Sequence, residues 1–128
     1  MKVLVVEDDP VSRKLARLVL SFEGHQVFDA VSAEQAFKLI HNYQPEAVLL
    51  DLKLPEIDGL CLARQIKGDQ ETAHIAIVAV TSYPGLFLKK EALEAGCDAY
   101  IVKPIDTRKL SQQMADAVAE RKWRFTVR

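Results

Sequence analysis

Five short runs of mostly branched apolar residues recur along the chain, and a segment with helical spacing of its apolar residues follows each run. Runs this short, bounded by turn residues, are typical of strands that are buried on both faces of a sheet. We therefore predict five strands, at residues 2–6, 26–30, 46–50, 75–80 and 99–102.

The segments that follow the strands predict five helices. Pro10 suits the first turn of the first helix, and Gly24 can end that helix in a left-handed conformation. Ser32 offers a cap to the second helix, and Pro45 prevents it from continuing. The third helix should cover residues 59–67, the fourth should lie between Pro84-Gly85 and Gly96, and the fifth should open near Asp106 or Thr107.

Apolar residues on four of these segments fall on helical stripes, and the fourth helix has the weakest pattern. The stripes are Val11, Leu15, Leu18, Val19 and Phe22 in the first helix; Ala33, Ala36, Phe37 and Ile40 in the second; Leu60, Ala63 and Ile66 in the third; and Leu110, Met114, Ala117 and Val118 in the fifth.

Short connections between alternating strands and helices favour right-handed crossovers and a parallel sheet covered on both faces. We predict a doubly wound α/β fold of the flavodoxin-like kind, with strand order 2-1-3-4-5 and a switch point between strands one and three. The 128 residues fit one domain, which we place at residues 1–121, with a basic tail at 122–128.

The balance of charges excludes some classes of partner. Seventeen basic and eighteen acidic residues leave a net charge of −1, which gives no electrostatic reason for direct binding to nucleic acid or to an anionic membrane. No apolar run approaches the 18 residues of a membrane-spanning helix, and two cysteines are too few for a disulfide scaffold. We therefore expect a soluble cytoplasmic protein.

Charged and hydroxyl side chains follow four of the predicted strands. Glu7 and Asp8 follow strand one, Asp51 strand three, Thr81 strand four and Lys103 strand five. Because the carboxyl ends of parallel strands meet at one edge of a sheet, the three carboxylates should converge there. Each close pair costs about 4 kcal/mol at an effective dielectric of about 20, so a cation must offset the repulsion. Oxygen ligands without histidine or cysteine favour Mg²⁺, and Lys103 adds a second positive charge.

A carboxylate beside Mg²⁺, a lysine and a threonine is suited to attack on a phosphoryl group, whose transfer depends on positioning and charge neutralisation. Asp51 is therefore the candidate nucleophile, with Thr81 and Lys103 as the groups that assist it, and the product would be an aspartyl phosphate. The sequence contains neither of the glycine-rich phosphate-binding motifs G-x-x-x-x-G-K-[ST] and G-x-G-x-x-G. The phosphoryl group should therefore arrive already activated rather than from ATP.

With these motifs in place, the chain resembles a response-regulator receiver domain over essentially its whole length, and most closely the single-domain receivers of cell division and chemotaxis. The residues that carry the resemblance are the acidic pair Glu7-Asp8, the phospho-accepting Asp51, the switch hydroxyl of Thr81, the switch aromatic Tyr100 and the pair Lys103-Pro104. Leu54, where the family commonly has Met, and the apolar run 84–88 depart from the family pattern.

The resemblance implies a set of roles in two-component phosphorelay signalling. Asp8 would bind Mg²⁺ directly and Glu7 through water, with Asp51 and the backbone carbonyl of Lys53 as further ligands; the sequence leaves open whether Asp9 joins them. Lys103-Pro104 would be a cis peptide. A histidine kinase or a histidine phosphotransfer protein would be the phosphodonor.

The resemblance also implies an output surface and a lifetime for the phosphorylated state. Thr81 and Tyr100 would switch a face made by the fourth helix, fifth strand and fifth helix, where an exposed run Leu86-Phe87-Leu88 would help to dock a downstream protein. Lys53 and Tyr83 occupy the positions that control water access, and they predict slow self-dephosphorylation.

The main prediction is a binding module that is switched by phosphorylation of its own aspartate and is not an enzyme. Three other functions remain as alternatives. The chain could be the receiver portion of a longer regulator or of a hybrid kinase. A phosphatase with an aspartate nucleophile would need an acid where Lys53 stands, and a flavodoxin-like cofactor site would need a phosphate-binding loop where Glu7-Asp8-Asp9 would repel phosphate.

Overall fold

Five parallel strands alternate with five helices in the computed structural model, which describes residues 1–127 and the side chains of residues 1–124. The elements are β1 (Lys2–Val6), α1 (Pro10–Phe22), β2 (Gln26–Ala30), α2 (Ala33–Tyr43), β3 (Ala47–Asp51), α3 (Gly59–Gly68), β4 (Ala76–Thr81), α4 (Lys89–Glu94), β5 (Ala99–Val102) and α5 (Leu110–Val127). The strand order is β2-β1-β3-β4-β5. The predicted doubly wound, flavodoxin-like fold is confirmed.

The sheet separates two apolar cores, because successive side chains of a strand point to opposite faces. In β1, Val3 and Val5 lie in the core that α1 and α5 cover, whereas Leu4 and Val6 lie in the core that α2, α3 and α4 cover. No helix in the described part of the chain is both long and apolar enough to cross a lipid bilayer.

The register of β1 aligns the strand ends that carry the charged residues. Val6 pairs with Ala30 of β2 on one side and with Leu50 of β3 on the other. Glu7, which follows β1, and Asp51, the last residue of β3, therefore lie side by side at the carboxyl edge of the sheet, where the direction of winding reverses.

β3 and β4 each end one residue later than predicted. Asp51 is opposite Val80 and Thr81 is opposite Val102 in parallel pairing, so both polar residues belong to strands rather than to the loops that follow. Their backbones are consequently fixed by the sheet, and only the side chains project toward the edge.

α4 begins later than predicted, because the residues before it form a turn. The N–H groups of Leu86 and Phe87 both donate to the carbonyl of Tyr83, at 3.0 and 2.9 Å. This turn directs Phe87 into the core, where it is only 7% exposed, while Leu86 and Leu88 remain exposed. The expectation of a fully exposed run 86–88 was therefore wrong at its central residue.

Of the five residues in the apolar stripe read from the sequence of α1, Val19 packs against the core and the other four are exposed. Val11, Leu15, Leu18 and Phe22 are exposed, Phe22 at 92%, whereas Ala16 and Leu20 are buried against the sheet. Ala16 and Leu20 lie one turn apart on a different line of the helix, and a small residue there allows close approach to the sheet. In α2, Phe37 is likewise partly exposed and packs on His41 instead of filling the core.

α5 continues as one helix beyond the boundary that we placed after residue 121. Arg121 is buried, and its Nε donates to Oδ1 of Asp98 at 2.9 Å, which fastens this part of the helix to the start of β5. The helix extends to Val127, so most of the predicted basic tail is helical, and Arg128 lies outside the described residues.

Gly59 closes the loop that follows β3. Its N–H donates to the carbonyl of Leu52 at 2.7 Å, which brings the two ends of the loop together. A Cβ atom at this position would lie 2.6 Å from the carbonyl oxygen of Asp51 and 2.7 Å from Cα of Leu52. Both contacts are with backbone, so no side-chain movement can relieve them.

We therefore predict that Gly59→Ala destabilises the protein by about 1–3 kcal/mol through overpacking against the end of β3. Gly68→Ala, at the other end of α3, is the matched control, because a Cβ there meets nothing within 4 Å. Urea unfolding should show a lowered free energy of unfolding for Gly59→Ala and no loss for Gly68→Ala. Equal stabilities would show that the loop adjusts freely.

Candidate functional site

A polar crevice opens at the carboxyl ends of β1, β3, β4 and β5. Its volume is about 430 Å³, and its walls include Glu7, Asp8, Asp51, Lys53, Tyr83 and Lys103. Five of these six residues are charged, and the sequence analysis singled out all five, which agrees with the predicted convergence of strand ends.

Glu7, Asp8 and Asp51 each offer a carboxylate oxygen, and these oxygens lie within 4.8 Å of one another. Glu7 and Asp51 are buried, at 5% and 7% exposure, whereas Asp8 is exposed at the mouth of the crevice. Two buried carboxylates this close to a third require compensation by positive charge.

Lys103 supplies that charge. Its ammonium pairs with Oε1 of Glu7 and lies 3.4 Å from Oδ2 of Asp51. The backbone N–H of Lys103 donates to the carbonyl of Thr81 at 2.9 Å, and the predicted cis peptide to Pro104 is present. Burial alone would lower the pKa of Lys103, but the hydrogen bond that Lys103 donates to Glu7 and the charge of Asp51 outweigh burial and raise it.

Glu7 holds its proton unusually tightly for a carboxylic acid. Burial is the largest cause, the hydrogen bond with Asp51 adds to it, and the Lys103 ammonium opposes both, so that the pKa of Glu7 rises from 4.5 to about 7. The other oxygen of Glu7 accepts a hydrogen bond from the N–H of Asp9 at 3.3 Å. The Lys103 ammonium therefore does not outweigh the effects of burial and of Asp51 on Glu7.

Asp9 does not join the carboxylate cluster. Its Oδ2 accepts the N–H of Ser12 at 2.8 Å and so caps α1, and hydrogen bonds from Ser12 lower the pKa of Asp9. Asp9 nevertheless lines the crevice, so its carboxylate lies beside the cluster while it caps the helix.

Asp51 is oriented by its own loop. The N–H of Lys53 donates to Oδ1 of Asp51 at 3.1 Å, while Oδ2 faces Lys103. The Lys53 ammonium lies over the ring of Tyr83, 4.4 Å from its centroid, so that these two side chains meet across the crevice.

The two proposed switch residues lie on neighbouring strands. Thr81 is fully buried, and its Oγ1 accepts the N–H of Tyr83 at 2.8 Å. Tyr100 is half-buried, lies opposite Ala79 in the β4–β5 ladder, and donates its hydroxyl to the carbonyl of Phe87. The ring of Tyr100 is therefore tied to the turn that precedes α4.

Arg13 was missed in the sequence. Its Nη1 donates to the backbone carbonyls of Glu7, at 3.1 Å, and Asp8, at 3.3 Å. Its Nε lies 4.0 Å from Oδ2 of Asp29, which also pairs with Arg17. The available signal was a cation in the first turn of the helix that follows the acidic pair, but a surface arginine can have the same position.

The fold and the acidic crevice at the β1–β3 switch point define a flavodoxin-like protein whose site is built from strand-end carboxylates. The family is shown by comparison with known proteins: the chain belongs to the response-regulator receiver domains, whose family model matches residues 3–115. It is thus a receiver domain of two-component signalling.

Among its relatives is the polar-differentiation response regulator DivK of Brucella ovis, 34% identical over 103 residues, which are 80% of this chain and 84% of that protein. A CheY-like receiver domain protein from Methanospirillum hungatei has a similar structure, with a TM-score of 0.86 and 29% identity over 96% of this chain and 97% of that one. NtrX from Brucella abortus matches with a TM-score of 0.87 and 28% identity, over 98% of this chain but 28% of its own. The receiver fold therefore also occurs as one part of a longer protein.

The raised pKa of Glu7 predicts how stability depends on pH without divalent cations. Between pH 4.5 and about 7 the folded protein retains a proton that the unfolded chain releases, so stability falls as pH rises through this window. Glu7→Gln removes the titration, and at pH 8 it should be more stable than the wild-type protein by on the order of 2 kcal/mol. Below pH 4.5 the difference should vanish.

Thermal and urea unfolding in the presence of a chelator, at intervals from pH 4 to pH 8, would measure this difference. Glu34→Gln, on the exposed surface of α2, controls for the loss of one negative charge. A stability difference between Glu7→Gln and wild type that is the same at every pH would contradict the assignment of the titration to Glu7.

Proposed function

We propose that this receiver accepts a phosphoryl group on Asp51 from a phosphohistidine of a histidine kinase or a histidine phosphotransfer protein, with Mg²⁺ in the crevice, and thereby switches a partner-binding surface. The single observation that carries the proposal is the setting of Asp51. Its carboxylate is nearly buried, lies 3.4 Å from the Lys103 ammonium, and shares the crevice with the oxygens of Glu7 and Asp8.

The donor set of the crevice fits Mg²⁺. Three carboxylates provide oxygen ligands, no histidine or cysteine is among them, and the open side next to Asp8 leaves room for retained water. Asp8 and Asp51 would bind the ion directly and Glu7 through water, with the Lys53 carbonyl as a further ligand. When bound, Mg²⁺ neutralises negative charge on the carboxylates and on the phosphoryl oxygens.

The residues of the chain then divide the transfer between them. An oxygen of Asp51 attacks phosphorus as the bond from phosphorus to the imidazole nitrogen breaks, and the imidazole leaves with its electron pair. The Lys103 ammonium moves from its carboxylate partners to a phosphoryl oxygen, and the Thr81 hydroxyl, close to the same edge, donates to another. The Lys53 N–H holds Asp51 at the required angle.

We expect acetyl phosphate or phosphoramidate with Mg²⁺ to phosphorylate the protein once, at Asp51. Asp51→Asn should abolish the modification, because an amide oxygen is a poor nucleophile for phosphorus, and a chelator should abolish it in the wild-type protein. Intact-protein mass spectrometry would detect the added phosphoryl group. Asp58→Asn is the matched control, since Asp58 caps α3 in the same loop. Undiminished phosphorylation of Asp51→Asn would overturn the assignment.

The phosphodonor has a suitable surface next to the crevice. Leu15 of α1 lines an apolar cleft that also reaches Asp51, Lys103 and Ile105. The exposed stripe of α1, made of Val11, Leu15, Leu18 and Phe22, extends from this cleft along the helix. We propose that the helix bearing the donor histidine packs on this stripe, which would place the imidazole over Asp51.

The output surface in this proposal is the face of α4, β5 and α5. The Tyr83 N–H would lose the hydrogen bond that it donates to Thr81 Oγ1 when the hydroxyl turns to a phosphoryl oxygen, and this would release the turn at residues 83–87. Tyr100 is bonded to that turn through the Phe87 carbonyl, so the ring would shift with it. Exposed Leu86 and Leu88 border this turn and would meet the downstream protein.

An alternative keeps the same chemistry but makes this chain the receiver portion of a longer regulator or of a hybrid kinase, as the receiver fold is in NtrX. The aspartate phosphatase has less support, because Lys53 stands where the general acid is needed and its ammonium lies over the Tyr83 ring.

A cytoplasmic location agrees with the free thiols of Cys61 and Cys97.

The lifetime of the phosphorylated state should be long. The Lys53 ammonium and the Tyr83 ring meet across the open side of the crevice, where water would approach phosphorus in line. A protonated lysine cannot accept a proton from the attacking water, and an aromatic ring can exclude it. Both side chains therefore act against hydrolysis.

We predict that Tyr83→Glu and Lys53→Asn both shorten the half-life of the phosphorylated protein severalfold, because each opens the crevice and adds a group that can orient water. Decay is measured by mass spectrometry after the donor is removed, with Mg²⁺ constant. Lys38→Asn, on the exposed surface of α2, controls for the loss of a lysine. Equal or slower decay in both crevice variants would show that these side chains do not limit water access.

A further inference from the structure

We propose that Arg13, beside Asp29, is a positioning residue of the metal site: it fixes the backbone on both sides of Asp8 and so aims the carboxylate of Asp8. The inference rests on the proposed function, because it concerns the affinity of the same crevice for Mg²⁺. It assigns a role to a residue outside the strand-end motifs.

The contacts of Arg13 fall on two peptide groups that flank one Cα atom. The Glu7 carbonyl belongs to the peptide plane that precedes the Cα of Asp8, and the Asp8 carbonyl belongs to the plane that follows it. Nη1 of Arg13 donates to both oxygens, at 3.1 and 3.3 Å. Two planes held by one nitrogen leave little freedom in φ and ψ of Asp8, and these angles determine the direction of its Cβ.

Asp8 needs such support more than the other carboxylates do. Glu7 is held by Lys103 and the Asp9 N–H, and Asp51 by Lys103 and the Lys53 N–H. Within the described residues, no hydrogen bond or ion pair engages the exposed carboxylate of Asp8. Its position therefore depends on the backbone that carries it.

Asp29 places a negative charge beside the guanidinium. It lies in β2, opposite Val5 of β1, and its Oδ2 is 4.0 Å from Nε of Arg13 and 3.4 Å from Nη1 of Arg17. Arg13 is mostly buried, at 22% side-chain exposure, so it is not a freely moving surface cation. The guanidinium thus links β2, the end of β1 and α1 at one point.

Two physical effects of Arg13 on Mg²⁺ oppose each other, and this makes the proposal testable. As a nearby positive charge it should weaken cation binding, whereas as a positioning residue it should strengthen it. Mutation of a residue that orients a metal ligand without touching the metal typically weakens metal affinity by about 10- to 100-fold. If positioning dominates, loss of Arg13 weakens binding although it removes a repelling charge.

The experiment is a titration of ¹⁵N-labelled protein with Mg²⁺ alone, followed by NMR at constant pH and ionic strength. Saturable shifts of the crevice amides give the dissociation constant, and the spectrum shows that each variant is folded. Arg13→Met should weaken Mg²⁺ binding about tenfold. Arg13→Lys should also bind more weakly than the wild-type protein, because one shorter ammonium cannot reach both carbonyls while facing Asp29. Asp29→Asn should cause a smaller loss in the same direction.

Lys14→Met is the matched control, because it removes one positive charge from the exposed side of the same helix. It should bind Mg²⁺ at least as tightly as the wild-type protein. Arg13→Met or Arg13→Lys binding Mg²⁺ as tightly as the wild-type protein would overturn the inference, even if the melting temperature of the variant fell. If the wild-type protein shows no saturable shifts, the proposed function and this inference are both overturned. If Asp8→Asn loses Mg²⁺ binding while Arg13→Met binds as the wild-type protein does, the inference alone is overturned.

Discussion

The repulsion among three carboxylates at one edge of the sheet is the constraint on which the remaining features of the crevice depend. Parallel pairing of β1 and β3 places Glu7 and Asp51 side by side, and the fold cannot relieve their proximity without breaking that register. At an effective dielectric of about 20, each such pair costs about 4 kcal/mol. The Lys103 ammonium and the proton retained by Glu7 offset this cost.

The most rigid elements of the fold hold the groups of the crevice close together despite this repulsion. Asp51 and Thr81 are the last residues of their strands, and each is paired with a neighbouring strand, Asp51 with Val80 of β4 and Thr81 with Val102 of β5. The loop after β3 is closed by the bond from Gly59 to Leu52, and Lys53 within it fixes the rotation of the Asp51 carboxylate. A cation that enters the crevice therefore meets ligands that need little rearrangement, which lowers the cost of binding.

The sequence was sufficient for the sheet and for the charged residues of the crevice, because both follow from short-range patterns. Buried parallel strands are uniformly apolar, so a charge such as Asp51 or Lys103 marks where each strand ends. The packed face of α1 could not be read in the same way. Ala16 and Leu20 form a shorter apolar line than Val11, Leu15, Leu18 and Phe22, and periodicity favours the longer line although it lies in solvent.

The burial of Phe87 and the contacts of Arg13 were hidden for a different reason. Phe87 turns inward because two N–H groups converge on the Tyr83 carbonyl, and no local propensity reports such a turn. Arg13 reaches two backbone carbonyls, and carbonyls carry no side-chain signature in a sequence. Interactions between a side chain and a distant backbone group depend on the final path of the chain, so they become visible only in the folded structure.

The faces of α1 explain why this helix is apolar on more than its packed side. Ala16 and Leu20 fasten it to the sheet, Arg13 holds the turn that carries Asp8, and the outer stripe borders the cleft that reaches Asp51. A helix that only covered a core would expose polar residues in place of Val11 and Phe22, because solvent-exposed apolar area gains nothing in the isolated protein. The stripe begins next to the crevice, where Ser12 of the same helix lines the wall, and the proposed partner would cover the stripe while its reactive group approaches Asp51.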